Sequence, residues 1–103
     1  MPRQVRYTHE ARDDLDGIWR WKTQPGSGLA ARRPMTAIRP AINRLREHPC
    51  LHSFGQHRGI RELPCEGGYR ALYEVIPDTG RDDSAGDVVV LRVFGPGQSR
   101  DRL

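Results

Sequence analysis

The apolar positions near the start of the chain change from strand-like to helix-like spacing. Residues 2 to 7 alternate between apolar and polar side chains, which predicts a short, half-buried strand. Thr8 is suited to an N-cap, and the apolar stripe that follows predicts a helix from His9 to about Thr23. The segment QPGSG, residues 24 to 28, predicts the end of this helix because glycine and proline interrupt helical structure.

A second helix is predicted over residues 29 to 47. Its apolar residues recur at steps of four, three, four and three, and they are Ala31, Met35, Ile38, Ile42 and Leu45. Pro34 suits a position near the first turn. Pro40 is interior, where a proline kinks a helix or costs about 3 kcal/mol. The apolar seam nevertheless continues in phase on both sides of Pro40, so we expect one helix.

Three strands are predicted in the second half of the chain, after a loop at residues 48 to 58. They cover residues 59–64, 69–76 and 87–94, and the last is the most apolar and is expected to be central. Gly67 and Gly68 supply the first hairpin turn, and residues 77 to 86 form a polar loop.

The predicted order is therefore β-α-α-β-β-β, an α+β fold. Consecutive strands joined by hairpins predict an antiparallel sheet, and two helices joined by a short loop predict an αα-hairpin packed on one of its faces. The whole chain, residues 1 to 103, is expected to form a single domain with a flexible tail at about residues 95 to 103.

Positive charge is concentrated in one part of the chain. The net charge is +4, but residues 29 to 61 hold seven arginines and a single acid, Glu47. Such a local field predicts an anionic partner, either nucleic acid or an acidic protein. Sixteen of the seventeen basic residues are arginine, which fits bidentate recognition of phosphate or carboxylate but also fits the codon bias of a GC-rich genome.

The sequence contains no clear pattern for a metal site, a cofactor site or a membrane-spanning segment. The spacing of His48, Cys50 and His52 lacks the paired ligands of structural zinc sites, so neither a metal nor a cofactor is expected. No apolar run resembles a signal peptide or a membrane span. We therefore expect a cytoplasmic protein with reduced thiols at Cys50 and Cys65.

The stretch RELPCEGGYRALYEV, residues 61 to 75, places arginine within predicted strands. Alternation assigns one face of the second arm to the core beneath the helices, namely Tyr69, Ala71, Tyr73 and Val75. Arg70 then projects from the open face of the sheet.

Two interpretations of the strand arginines remain open. Arg61, Arg70 and Arg92 are candidate catalytic residues if they form one cluster that binds a phosphate backbone and stabilises a phosphoryl transition state. Alternatively, they pair across strands with Glu62 and Glu74, which is a structural role.

Four segments together resemble toxins of the RelE/ParE family. They are YTHEARDDLDGIWRW, AARRPMTAIRPAINRLREHP, GIRELPCEGGYRALYEV and VVVLRVFGPG, and they span nearly the whole chain in the family's order. The resemblance implies the toxin of a type II toxin–antitoxin pair, with a ParD-like or similar cognate antitoxin that wraps the toxin. It also implies contact with operator DNA only through that antitoxin.

The resemblance implies two alternative targets. RelE-like members cut mRNA on the ribosome, and Arg70 in the G-Y-R element matches a position that they use for catalysis. ParE-like members are not nucleases and inhibit DNA gyrase. The lysines of the RelE-like strand are absent, since Ile60 and Glu62 stand there, and the R-E-L element looks more ParE-like. Gyrase inhibition is therefore expected; an endoribonuclease or a detoxified binding remnant is the alternative.

The antitoxin is expected to contact the helical hairpin. The two tryptophans of the first helix flank opposite edges of its apolar stripe, and the second helix carries a basic face. An exposed tryptophan favours a protein partner, and arginine favours an acidic one. The predicted contact residues are Trp19, Trp21, Met35 and Arg39.

Overall fold

The computed structural model describes residues 3–22 and 32–99, without the side chains of residues 21, 22 and 32–36. Its elements are strand β1 (Val5–Tyr7), helix α1 (His9–Lys22), helix α2 (Arg32–Asn43) and strands β2 (Arg61–Pro64), β3 (Arg70–Ile76) and β4 (Asp87–Phe94). Short 3-10 turns occupy Arg44–Arg46 and Glu66–Gly68. The α+β class and the order β-α-α-β-β-β are confirmed.

Helix α1 begins where its capping residue predicts. The Thr8 hydroxyl accepts a hydrogen bond from the Ala11 backbone N–H at 3.0 Å, which satisfies one of the free donors of the first turn. The same hydroxyl donates to the Leu91 carbonyl at 2.8 Å. Thr8 therefore sets both the start of the helix and its position beside β4.

Helix α2 passes through Pro40 and continues to Asn43 before it tightens into the 3-10 turn. Ile38 lies before the proline and Ile42 after it, and both are completely buried. Because the apolar seam stays in phase, packing holds the helix together across the missing backbone donor. Leu45, in the 3-10 turn, is also buried, and the side chains of the other two predicted seam residues, Ala31 and Met35, lie outside the described residues.

The four strands form one sheet in the order β1-β4-β3-β2, with β4 central as predicted. The β2, β3 and β4 strands pair antiparallel, but β1 pairs parallel with β4, from Val5 opposite Val88 to Tyr7 opposite Val90. The expectation of a wholly antiparallel sheet is therefore wrong at this edge. Apolar β4 needs a neighbour on each side, and β1 supplies the second one.

Strand β2 is shorter than predicted because the chain turns before Arg61. Gly59 has φ of +76°, a left-handed conformation that favours glycine, and the Ile60 carbonyl accepts from Gly55. The preceding loop then runs beside β2, with a bridge between Phe54 and Arg61. The outer edge of β2 is thus partly covered by its own loop.

The predicted core face of β3 is confirmed. Its aromatic and apolar residues are at most 5% exposed, and they are Tyr69, Ala71, Tyr73 and Val75. Leu72 on the opposite face is also fully buried, which alternation did not predict. Its register neighbours are Glu62 in β2 and Arg92 in β4, so Leu72 lies between two paired strands.

The segment after β4 begins with a turn. The Gln98 N–H donates to the Gly95 carbonyl at 3.2 Å, and Gly97 takes a positive φ of +81°. This matches the predicted turn around Pro96; residues 100–103 of the predicted tail lie outside the described residues. Among the described helices, none is both long and apolar enough to cross a bilayer.

Candidate functional site: strand arginines and the helix-hairpin face

Arg61 lies on the helix-covered side of the sheet. It stands opposite Tyr73 in the β2–β3 register, and directly opposed residues share a face. Only 6% of the residue is exposed, although arginine is seldom buried unless paired. Arg61 therefore does not project from the open face with Arg70.

Asp78, in the loop after β3, neutralises Arg61. The two side chains form a bidentate pair, with Nε to Oδ2 at 2.9 Å and Nη2 to Oδ1 at 3.0 Å. This hydrogen bonding raises the pKa of Arg61 and lowers the pKa of Asp78. The remaining guanidinium nitrogen donates to the His52 carbonyl at 2.7 Å, and the guanidinium carbon lies 4.1 Å from the centre of the Phe54 ring.

Arg92 is neutralised by helix α1. Its Nε lies 2.7 Å from Oδ2 of Asp14, and its Nη2 lies 3.0 Å from Oδ1. The same carboxylate accepts the Val93 backbone N–H at 2.9 Å. Because β1 ends at Tyr7, this part of β4 has β3 on one side but no strand on the other, where Asp14 satisfies the exposed ladder donor. The hydrogen bonds to Asp14 raise the pKa of Arg92.

Arg70 lies on the open face, opposite Phe94 in β4 and Pro64 in β2. It is half-buried, and it has neither a hydrogen bond nor an ion pair with any described residue. Burial raises the pKa of the Cys65 thiol to about 11, and the positive charge of Arg70 opposes this increase. Of the three candidate arginines, Arg70 alone keeps its charge uncompensated by a described carboxylate.

The structure therefore does not bring the three arginines into one cluster. The expected cross-strand pairs are also wrong for Arg61 and Arg92, since both partners come from outside the sheet. Asp14 lies on helix α1, and its side chain is only 16% exposed. In the sequence, Asp78 is one of several acidic residues of the polar loop at residues 77 to 86, and no local pattern distinguishes it from the others.

A further arginine was missed by the sequence analysis. Arg3 donates from its guanidinium to three carbonyls of the loop before β4, at 2.6 Å to Asp82, 2.9 Å to Ala85 and 2.8 Å to Gly86. It also donates to the Arg46 carbonyl. Arg3 therefore joins the start of the chain to that loop and to the end of the helical hairpin.

The histidine- and cysteine-containing loop contacts the carboxylates of the 77–86 loop. Asp82 accepts the Cys50 backbone N–H at 2.8 Å, and its other oxygen lies 3.4 Å from His48 Nδ1. Within residues 3–22 and 32–99, no three side chains of metal-binding type are grouped around one point. Neither cysteine forms a disulfide.

Two of the predicted antitoxin-contact residues line one shallow depression on the helix-hairpin face. The depression has a volume of about 210 Å³ and is formed by Leu15, Asp16, Trp19 and Arg39. Trp19 is 48% exposed. Arg39 also lies over the Tyr7 ring of β1, 5.6 Å from its centre. The side chains of Trp21 and Met35 lie outside the described residues.

A larger groove of about 520 Å³, which no sequence pattern predicted, lies on another side of α1. Asp13, Gly17 and Ile18 form its helical wall, and Tyr69 and Pro96 lie among the residues opposite. A side chain at Gly17 would meet nothing within 4 Å, so the glycine widens this groove.

Comparisons with known proteins agree with this architecture. A solved structure described as the chromosomal ParDE TA system from P. aeruginosa superposes with a TM-score of 0.70, over 91% of this chain and 96% of that one, at 18% sequence identity. A comparison with curated proteins found no match. The family model described as the ParE toxin of the type II toxin-antitoxin system parDE matches residues 5–99. The chain therefore belongs to the ParE toxin family of type II toxin–antitoxin systems.

Proposed function

We propose that this protein inhibits DNA gyrase without a catalytic centre of its own and that a cognate antitoxin neutralises it. The observation that best supports this proposal is that the three strand arginines do not form one cluster. Two of them are held by aspartates, so the sheet lacks the cluster of free cations that phosphoryl-transfer chemistry requires. Membership of the ParE toxin family supports the same reading.

Supercoiling by purified gyrase tests the target. We expect the full-length protein to inhibit supercoiling, and we expect an Arg70→Ala variant to inhibit it equally. The matched control is gyrase incubated with the heat-denatured protein. Unchanged supercoiling, together with no gyrase-linked DNA cleavage, would remove gyrase as the target.

An mRNA endoribonuclease is the second candidate, and Arg70 is the observation that favours it. The guanidinium sits on the open face without a described ionic partner and is available to a phosphate. Primer extension on translated mRNA separates the two activities. Cuts within codons that disappear in Arg70→Ala would favour the nuclease, and their absence in the unchanged protein would exclude it.

The proposed antitoxin contact is the depression formed by Trp19, Arg39 and their neighbours. An exposed aromatic residue beside a guanidinium suits a helix that presents apolar and acidic side chains. We expect Trp19→Ala and Arg39→Glu each to weaken antitoxin binding by about tenfold or more. Leu51→Ala and Arg58→Glu are matched exposed controls, and equal losses in the controls would contradict the assignment.

Growth after induced expression tests whether the protein is toxic at all. In a host that lacks the antitoxin, arrest is expected, and coexpression of the antitoxin is expected to restore growth. Unchanged growth with normal amounts of folded protein would favour the detoxified remnant.

A further inference from the structure

Two large apolar side chains of the loop before β2 face the solvent. Leu51 is 68% exposed and Phe54 is 52% exposed. The backbone beside them is nevertheless fixed, because the Tyr73 hydroxyl donates to the Pro49 carbonyl at 2.9 Å and the Cys50 N–H donates to Asp82 at 2.8 Å. Apolar side chains held in water on a fixed backbone are typical of a binding surface.

Arg61 fixes the same loop from below. Its guanidinium donates to the carbonyls on both sides of Leu51, at 3.4 Å to Cys50 and at 2.7 Å to His52. It also lies 4.1 Å from the centre of the Phe54 ring. A buried ion pair is weak evidence for stability as such. The contacts of Arg61 show what this one does: they set the positions of Leu51 and Phe54.

A groove of about 280 Å³ lies beside Leu51, between the end of the helical hairpin and β2. Five of its eight lining residues are apolar, and none is acidic. The lining consists of Ala41, Arg44, Leu45, His48, Leu51, His52, Leu63 and Pro64, which we call the Leu51 groove. The floor is firm, since Leu45 and Leu63 belong to the buried core.

The charge at the rim of the Leu51 groove is positive. The Arg44 side chain is exposed and has neither a hydrogen bond nor an ion pair with any described residue. The carboxylates that reach the adjoining loop are already used, because Asp78 binds Arg61 and Asp82 binds the Cys50 N–H. A partner that places carboxylates beside an apolar side chain complements this surface. A two-fold dimer about the groove would instead bring two copies of Arg44 together.

We propose that the Leu51 groove binds an acidic, amphipathic segment of the protein that this toxin inhibits. An apolar side chain of the segment enters beside Leu51 and Leu63, its carboxylates contact Arg44, and Phe54 extends the apolar contact. The identification of that protein as gyrase rests on the proposed function, but the chemistry of the segment does not. The groove shares no lining residue with the Trp19 depression, so the target and the antitoxin contact separate residues.

The first test measures supercoiling by purified gyrase at increasing concentrations of full-length variants. Leu51→Ala and Arg44→Glu are each expected to raise the half-inhibitory concentration by at least about tenfold. Both side chains are exposed, so the fold should be kept, and thermal denaturation checks this. Arg58→Glu makes the same charge change outside the groove and is expected to have no effect. Inhibition by Leu51→Ala and Arg44→Glu at the wild-type concentration would overturn the proposal.

Antitoxin binding by the same variants shows which partner uses the groove. We expect Leu51→Ala and Arg44→Glu to bind the antitoxin within about twofold of the wild type. If both variants lose antitoxin binding as strongly as gyrase inhibition, the groove belongs to the antitoxin and the proposal is wrong.

The second test does not depend on gyrase. Nuclear magnetic resonance follows the full-length protein during titration with a synthetic helical peptide of leucine and glutamate. The backbone amide signals of Leu51, His52 and Leu63 are expected to shift, and Leu51→Ala should weaken binding. A leucine–lysine peptide is expected to bind at least about tenfold more weakly. Shifts confined to other surfaces, or equal binding of the two peptides, would contradict the proposal.

The two tests separate this inference from the proposed function. Gyrase inhibition that is insensitive to Leu51 and Arg44 would remove the inference and leave gyrase as the target. Binding of the acidic peptide in the groove, without gyrase inhibition by the wild type, would remove only gyrase and keep the acidic partner.

Discussion

Two arginine–aspartate pairs lie at different edges of the sheet and have nearly the same geometry. Arg61 holds Asp78 at 2.9 and 3.0 Å, and Arg92 holds Asp14 at 2.7 and 3.0 Å. Their surroundings differ. The Arg61 side chain is 8% exposed and also donates to the His52 carbonyl, whereas the Arg92 side chain is 27% exposed.

The comparison shows that pair geometry alone does not set the energetic consequence. A buried charge that loses its partner stays desolvated, and the cost is several times that of an exposed pair. Arg61 also binds the 48–58 loop through backbone carbonyls, while Asp14 satisfies a backbone donor at the edge of β4. The first pair organises a loop and the second completes a sheet edge.

The largest effect is expected from Arg61→Ala. It leaves Asp78 without its partner and the His52 carbonyl without its donor, so we expect a loss of about 3–5 kcal/mol in the free energy of unfolding. Urea denaturation measures it. Arg58→Ala, an exposed arginine of the same segment, is the control and is expected to change stability by less than about 0.5 kcal/mol.

A double-mutant cycle sharpens this prediction. If the pair itself is responsible, Arg61→Ala combined with Asp78→Ala should cost less than the sum of the two single changes. Strict additivity would mean that Arg61 acts through its loop carbonyls instead.

Removal of Asp14 is expected to have an intermediate effect. Asp14→Ala leaves both the Arg92 guanidinium and the Val93 N–H without their acceptor, so we expect a loss of about 1–3 kcal/mol in the free energy of unfolding. Arg92→Ala leaves the Val93 bond in place and should cost less, which thermal denaturation of the two variants can compare. A larger loss in Arg92→Ala would show that the guanidinium, not the edge donor, is the main element.

Acid should separate the wild type from a variant without the buried pair. The hydrogen bonds from Arg61 lower the pKa of Asp78, so its contribution is fully present above the ordinary aspartate pKa of about 3.9. It is lost as the pH falls below that value through the folded-state pKa. Unfolding measured from pH 6 to pH 2 should show a shallower decline for Asp78→Asn than for the wild type. If the stability of both proteins falls equally steeply as the pH is lowered, the Arg61–Asp78 pair does not contribute to stability in this way.

The smallest effect on stability is expected from Arg70→Ala. Arg70 has no described hydrogen bond or ion pair, so we expect a change within about 0.5 kcal/mol by urea denaturation. A loss as large as that for Arg92→Ala would mean that Arg70 is structural after all. If the change in stability is small, any change in the toxicity of Arg70→Ala can be assigned to the open face of the sheet and not to folding.

Much of the fold followed from local patterns. The Thr8 cap, the seam through Ile38 and Ile42, and the buried face of β3 are each set by residues close in sequence. The parallel pairing of β1 with β4 was not predicted, because strands more than 80 residues apart leave no local record of their relative direction. The candidate site was predicted less well. Its arginines were identified, but Asp14 and Asp78 were not recognised as their partners.

By itself, the sequence determined which residues form helices and strands, which strand faces are apolar, and which family the chain resembles, since periodicity and motif order are local properties. Only the tertiary structure decided which arginine is free. Alternation places Arg61 and Arg70 on opposite faces once the hairpin register is known, and distant loops and helices then bring Asp78 to one arginine and Asp14 to another. Charge compensation acts through space, and contacts 17 and 78 residues apart are decided when the chain packs.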